Sequence, residues 1–192
     1  MAFYKDERIA LFIDGTNLYT AARGLGLEID FRKLLAEFRK KGRLLRANYY
    51  TTLFETDEHN SIRPLVDWLA YNGYNTIVKN AREYPDREGR RRIRGNMDVE
   101  LTTDMLVLAE QLDHVILFSG NSDLQYLVAA VKARGVRVTV ISTIKSQPQM
   151  IGDELRRAAD VFIDLDELGD LIGRPRRDND DRGPVSNDDY LD

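Results

Sequence analysis

Six short runs rich in branched and aromatic residues, separated by longer polar segments, constrain this chain more than any other feature. They are "RIALFID" (8–14), "LLRANYYTT" (44–52), "YNTIVKN" (74–80), "HVILFSG" (114–120), "VRVTVIS" (136–142) and "VFIDL" (161–165). Runs of this length and composition predict strands. Between them, apolar residues recur at spacings of three and four, predicting helices over 30–41, 61–72, 98–112, 123–134 and 149–159. Strands that are almost wholly apolar must be covered on both faces, and alternating helices supply that cover. The pattern therefore predicts the α/β class: a doubly wound, mainly parallel sheet in a three-layer α/β/α sandwich with right-handed crossovers. The 192 residues suffice for one such domain, set at 1–172. From Gly173 the sequence turns to Pro, Gly and charge, and 173–192 reads as a disordered charged tail.

In a parallel sheet the loops that leave the strands share one edge, and ligands bind where the strand order reverses. With the order 3-2-1-4-5, the first and fourth strands are neighbours. "FIDGTN" then sets Asp14 and Asn17 beside the Ser119, Asn121 and Asp123 of "FSGNSD". The helix beginning near Asp98 runs against the strands, so its N-terminus reaches the same edge. Asp14, Asp98 and Asp123 would converge there, raising one another's pKa until a divalent cation relieves the repulsion. Composition narrows that ion's ligands. There is no cysteine and the only histidines are His59 and His114, which excludes thiolate and His-rich zinc sites and a cysteine nucleophile; any metal is held by oxygen. Local readings stand beside this one: Asp14-Gly15 as a strand-to-helix turn, and Asn17, Asp98 and Ser122 or Asp123 as helix caps. Asp104, six residues further along the helix, reads equally as support behind the site or as ordinary helix polarity.

The segments "LFIDGTNLY", "GNMDVELTTDML" and "LFSGNSDLQYLV", followed by "GVRVTVIS" and "LRRAADVFIDLDEL", resemble in order the NYN domain, in its bacterial LabA-like branch, within the PIN-like nuclease superfamily. The likeness spans about residues 8–170. It implies a PIN-like sheet and metal-dependent RNA cleavage at an acidic site binding Mg²⁺ or Mn²⁺. By position it implies Asp14, Asp98 and Asp123 as metal ligands, with Asn17 as a polar companion. The pattern departs at Asn121, where the family resembles Ser-Gly-Asp; asparagine keeps the shape and one acceptor but loses the charge and all general-base capacity. Catalysis would involve Asp14, Asp98, Asn121, Asp123 and Asn17, supported by Ser119. A second ion or a fully activated water becomes doubtful.

An RNA backbone needs cations nearby. Residues 81–96 form a long connection with little apolar content, predicted to be either a functional loop or, through "REG", a small hairpin. Arg82, Arg87, Arg90, Arg91, Arg92 and Arg94 give residues 82–94 a net charge of +3, with Tyr84 as a stacking surface. Lys145, after the fifth strand, is a further phosphate contact; a solvated charged hairpin is the plain alternative. His114, Trp68 and the Asn-Tyr-Tyr aromatics read as packing, and "DLDELGD" (164–170) as a solvated chain end. Two functions follow: a metal-dependent endoribonuclease weakened at Asn121, or a non-catalytic RNA-binding regulator on the same fold. A small-molecule phosphohydrolase is disfavoured, because no Gly-rich phosphate loop is present and Asp14 lacks a second acid two positions on. The net charge of −4 makes any basic site local, and no apolar stretch is long enough to span a membrane. A cytoplasmic protein is expected, and the family resemblance adds a homodimer.

Overall fold

The computed structural model describes residues 3–54, 62–85, 91–94 and 96–174. Its strands are β1 (Arg8–Asp14), β2 (Arg43–Phe54), β3 (Asn75–Pro85), β4 (Arg91–Arg94), β5 (His114–Phe118), β6 (Arg137–Ser142) and β7 (Val161–Asp164). Its helices are α1 (Gly15–Gly24), α2 (Phe31–Lys41), α3 (Arg63–Tyr71), α4 (Asp98–Ala109), α5 (Gln125–Lys132), α6 (Asp153–Ala158) and α7 (Gly169–Ile172). The sheet order is β4-β3-β2-β1-β5-β6-β7. Every pairing is parallel except β3 with β4, so the expected α/β/α sandwich is present with one antiparallel edge strand.

β1 shows why the chain folds this way. Its Ile9, Leu11 and Ile13 enter one core with α1, α2 and α7, while Ala10 and Phe12 enter the other with α4, α5 and α6. A period of two with both phases apolar demands helices on both faces. After β1 the chain winds outward through β2 and β3 over the first face. It then returns along α4 to place β5 against the other side of β1, and continues to β6 and β7. The winding direction reverses between β1 and β5, where Ile13 lies beside Phe118.

Two expectations change and one open choice is decided. Residues 15–24 form a helix that the spacing did not reveal, because its buried face consists largely of small residues: Gly15, Leu18, Ala21 and Ala22. The connection at 81–96 follows the hairpin alternative and not the loop, with β3 running to Pro85 and pairing Arg82 with Arg94 and Tyr84 with Arg92. A charged edge strand is held by backbone pairing and needs no apolar side chains. Finally, 164–170 is no solvated end: Leu165, Leu168 and Ile172 are buried, and Asp164 accepts the N–H groups of Ile144 at 3.0 Å and Asp166 at 3.1 Å. Gly173 still pairs with Ile29, and Arg174 with Glu28. Residues 175–192, most of the expected tail, lie outside the described residues. No helix among the described residues is long and apolar enough to cross a membrane.

Candidate active site at the sheet switch point

Asp14 is the last residue of β1 and caps α1, accepting the Asn17 N–H on Oδ1 at 3.1 Å. Its other oxygen accepts the Asn17 side-chain amide at 2.9 Å and the Ser119 hydroxyl at 3.2 Å. The cap reading is therefore correct for Asp14, and the side chain does more than cap. Asn17 in turn accepts the Gly120 N–H at 3.0 Å, tying the loop after β1 to the loop after β5. Buried Ser119 passes the network on by accepting the Asn121 N–H at 3.2 Å.

Both glycines beside the site are required by close approach. A Cβ at Gly15 would lie 2.6 Å from the Tyr49 ring, and one at Gly120 would lie 2.0 Å from the Met150 carbonyl oxygen. The polar turn after β5 thus packs on the backbone of the 143–152 segment, with the Gly152 N–H donating to the Gly120 carbonyl at 3.0 Å.

Asp98 opens α4 but does not cap it; the cap position is Met97, without a side-chain bond. Its Oδ2 instead accepts two amides, from Asn96 at 2.6 Å and Asn121 at 3.3 Å. Lys79 of β3 fixes the same helical turn through Glu100, at 2.6 Å. Asn121 itself caps the short 3₁₀ turn Ser122–Leu124, accepting the Asp123 N–H at 3.1 Å. Because that oxygen is engaged in its own turn, the amide nitrogen faces Asp98. One connected network therefore runs from Asp14 through Asn17, Ser119 and Asn121 to Asp98. Asp123 is exposed, and among the described residues its carboxylate makes no hydrogen bond or ion pair.

The electrostatics agree with this convergence. The Asp98 carboxyl is held above the usual carboxylate range by burial, then by the charge of Asp14 and more weakly by those of Asp123 and Glu100; the Asn121 amide acts against them. Burial and the Asp14 charge also push the Tyr49 phenol up to about 12. Even so, no three or more His, Asp or Glu side chains among the described residues are grouped so that they could hold a metal ion. The donors suit a hard cation that keeps most of its water and binds one or two carboxylates directly. They do not form a ready three-carboxylate cage, because amide donors already occupy oxygens of Asp14 and Asp98.

The remaining expected residues are more scattered. Asp104 accepts the hydroxyl of buried Tyr50 at 3.0 Å, beneath the sheet edge. Lys145 is paired with Asp166 at 2.6 Å. Arg87, Arg90 and His59 lie outside the described residues, as do the side chains of Arg82, Tyr84, Arg91, Arg92 and Arg94. His114 is buried at the opposite end of the sheet against Glu7 and Thr139. Two residues that sequence reasoning passed over belong to the site. Asn96, two residues before Asp98, was given no role, yet it makes the shorter of the two bonds to Asp98. Tyr49 was read as packing, yet it stands beside Asp14.

The α/β/α sandwich, with its switch point between β1 and β5, has the PIN-like arrangement. A family profile described as the NYN domain matches residues 8–166, and the chain is a LabA-like member of that family. It is 34% identical over 181 residues to the low amplitude and bright protein LabA of Synechococcus elongatus, covering 92% of this chain and 93% of the relative. Among solved structures, a protein of unknown function, VPA0982 from Vibrio parahaemolyticus, superposes with a TM-score of 0.69 at 25% identity. That match covers 90% of this chain and 99% of the other. Membership of a nuclease-type superfamily points to an RNA-related function.

Proposed function

We propose that this protein is a metal-dependent endoribonuclease whose site is weakened by Asn121. The observation that carries the reading is the single network joining Asp14, Asn17, Ser119, Asn121 and Asp98, in which burial first and the Asp14 charge second hold the Asp98 carboxyl above its usual range. A bound Mg²⁺ or Mn²⁺ would supply charge neutralisation at the phosphoryl oxygens and a more acidic water. Asp14 and Asp98 are the residues to hold it, with Asp123 adding charge from the rim. Asn17 fixes the Asp14 carboxylate, and Ser119 buttresses it from below. Asn121, lacking a charge, can position a water but cannot take its proton. Arg87, Arg90, Arg91, Arg92 and Arg94 are proposed to steer the RNA backbone; Lys145 joins them only by leaving Asp166. A cytoplasmic setting is consistent with such a substrate.

The test is cleavage of a mixed-sequence RNA panel with Mn²⁺. Asp14→Ala should abolish cleavage and Asn121→Asp should raise it. If parent and Asn121→Asp are both inert on every RNA, the enzyme reading is wrong.

One observation favours a second reading, non-catalytic RNA binding. The Asn121 amide donates to Asp98, so a hydrogen bond steadies that carboxylate without an ion. Salt-sensitive RNA binding without turnover, with a salt slope that shrinks when the loop arginines are neutralised, would select it.

A further inference from the structure

Beside the candidate site, on the face covered by α1, α2 and α3, lies a largely apolar cavity of about 680 Å³. Leu18, Tyr19, Phe31, Tyr49 and Leu65 line it, and Arg23 stands at its rim. It comes nearest the acidic edge at Gly15, immediately after Asp14, which forms part of its wall and lies against the Tyr49 ring. Tyr49 is held from the other side by Phe31, whose ring meets it edge-on at 5.6 Å. Tyr19 is 64% exposed, so its ring is open to an occupant.

The charges at the rim are unequal. Glu28 and Arg174 pair with each other. Arg23 has no hydrogen-bond or ion-pair partner for its guanidinium among the described residues, which leaves one cation over an apolar, aromatic-walled space. Such a space suits a flat π-system, and an unshared arginine fork suits the phosphate attached to it.

We propose that this cavity receives an unpaired base of single-stranded RNA, stacked on Tyr19, with the adjoining phosphate on Arg23. The inference rests on the ribonuclease reading and adds a seat for one nucleotide, walled in part by Gly15, the residue after Asp14.

The experiment is carried out on the full chain in EDTA, by following the methyl resonances of Leu18, Leu65 and Ile62 during titration with the four ribonucleoside 5′-monophosphates and with short dinucleotides. At least one nucleotide should shift these signals saturably. Arg23→Ala and Tyr19→Ala, both on the surface of α1, should each weaken that binding about fivefold or more. The inference is overturned if no nucleotide moves the methyl signals, or if both variants bind as the parent does. It is also overturned if nucleotides do nothing while removal of residues 175–192 shifts the same resonances, since the chain's own C-terminal segment would then be the occupant. No turnover is measured and no metal is present. Protein that cleaves RNA yet fails this titration keeps its enzymatic assignment and loses the pocket, and inert protein that passes keeps the pocket alone.

Discussion

Asn121→Asp should make the metal-free protein less stable and more dependent on a cation, by an amount the geometry sets. The Asn121 nitrogen lies 3.3 Å from Asp98 Oδ2. A carboxylate oxygen there would face another at the same separation, and two full charges at 3.3 Å repel by ~5 kcal/mol at an effective dielectric of ~20. Both side chains are only half-buried, so solvent screening brings this to roughly 2–3 kcal/mol. Loss of the amide's bond to a charged acceptor acts in the same direction. For a chain of this size each kcal/mol is worth ~2–4 °C, giving a fall in Tm of roughly 5–10 °C at pH 8 in EDTA. The pH dependence has a fixed sign. Asp98 already titrates above the usual carboxylate range through burial and the charge of Asp14, and a second acid raises it further. A carboxyl whose folded pKa is raised costs stability above that pKa, so the deficit should shrink as the pH falls through it. Mn²⁺ at ~100 times its dissociation constant contributes ~2.7 kcal/mol and should close most of the gap at pH 8. Thermal melts of parent and variant at pH 8 and pH 5, with EDTA or Mn²⁺, read all arms. Equal melting in EDTA at pH 8 would refute the facing geometry, and a deficit that neither acid nor Mn²⁺ relieves would refute the charge argument.

Three further outcomes follow from single contacts. Gly120→Ala drives a methyl to 2.0 Å from the Met150 carbonyl oxygen, so it should cost about 1–3 kcal/mol in urea denaturation and disturb the 143–152 segment. Tyr50→Phe removes the donor to Asp104 at 3.0 Å; stability should drop by ~1 kcal/mol, whereas Mn²⁺-dependent cleavage, measured on the same preparation, should be unaffected. His114 is held below its ordinary pKa by burial and by Arg137, despite Glu7. Its neutral form is the one the fold prefers, so stability should fall as the pH drops through ~6.5. A His114→Gln variant should show a flatter acid limb in melts between pH 7 and pH 5.

Periodicity made the sheet legible because burial on two faces leaves no exposed position inside β1, β5 or β6, and few polar ones, to blur the pattern. The switch point followed from connectivity alone. Where packing relies on small residues the same reasoning fails, and α1 went unseen for that reason. It fails again at β4, where backbone pairing at an edge tolerates "RRIR", and at 164–170, where two leucines among acids look polar in sequence yet fill the core. The edge to which topology brings the acid-bearing segments was legible; which of the acids join one network was not, since the Asp123 carboxylate stays outside it among the described residues. Nor were their partners. Nothing in the spacing indicates that Asn96 rather than a backbone amide holds Asp98, because a side chain's rotamer depends on neighbours distant in sequence.

The same distinction explains Asn121. By residue type it is a lost carboxylate, which predicts a poorer metal site and little else. By geometry its oxygen is committed to the Asp123 N–H, so its nitrogen must face Asp98 and supply a donor where an aspartate would supply a second negative charge. The turn can therefore stay ordered without an ion, with Asp98 braced by two amides. A cation entering this site displaces existing bonds instead of filling an electrostatic void, so its affinity should be lower in the parent than in Asn121→Asp. Calorimetric titration of both proteins with Mn²⁺ measures that difference directly; equal affinities would mean that the amide at position 121 does not substitute for the ion.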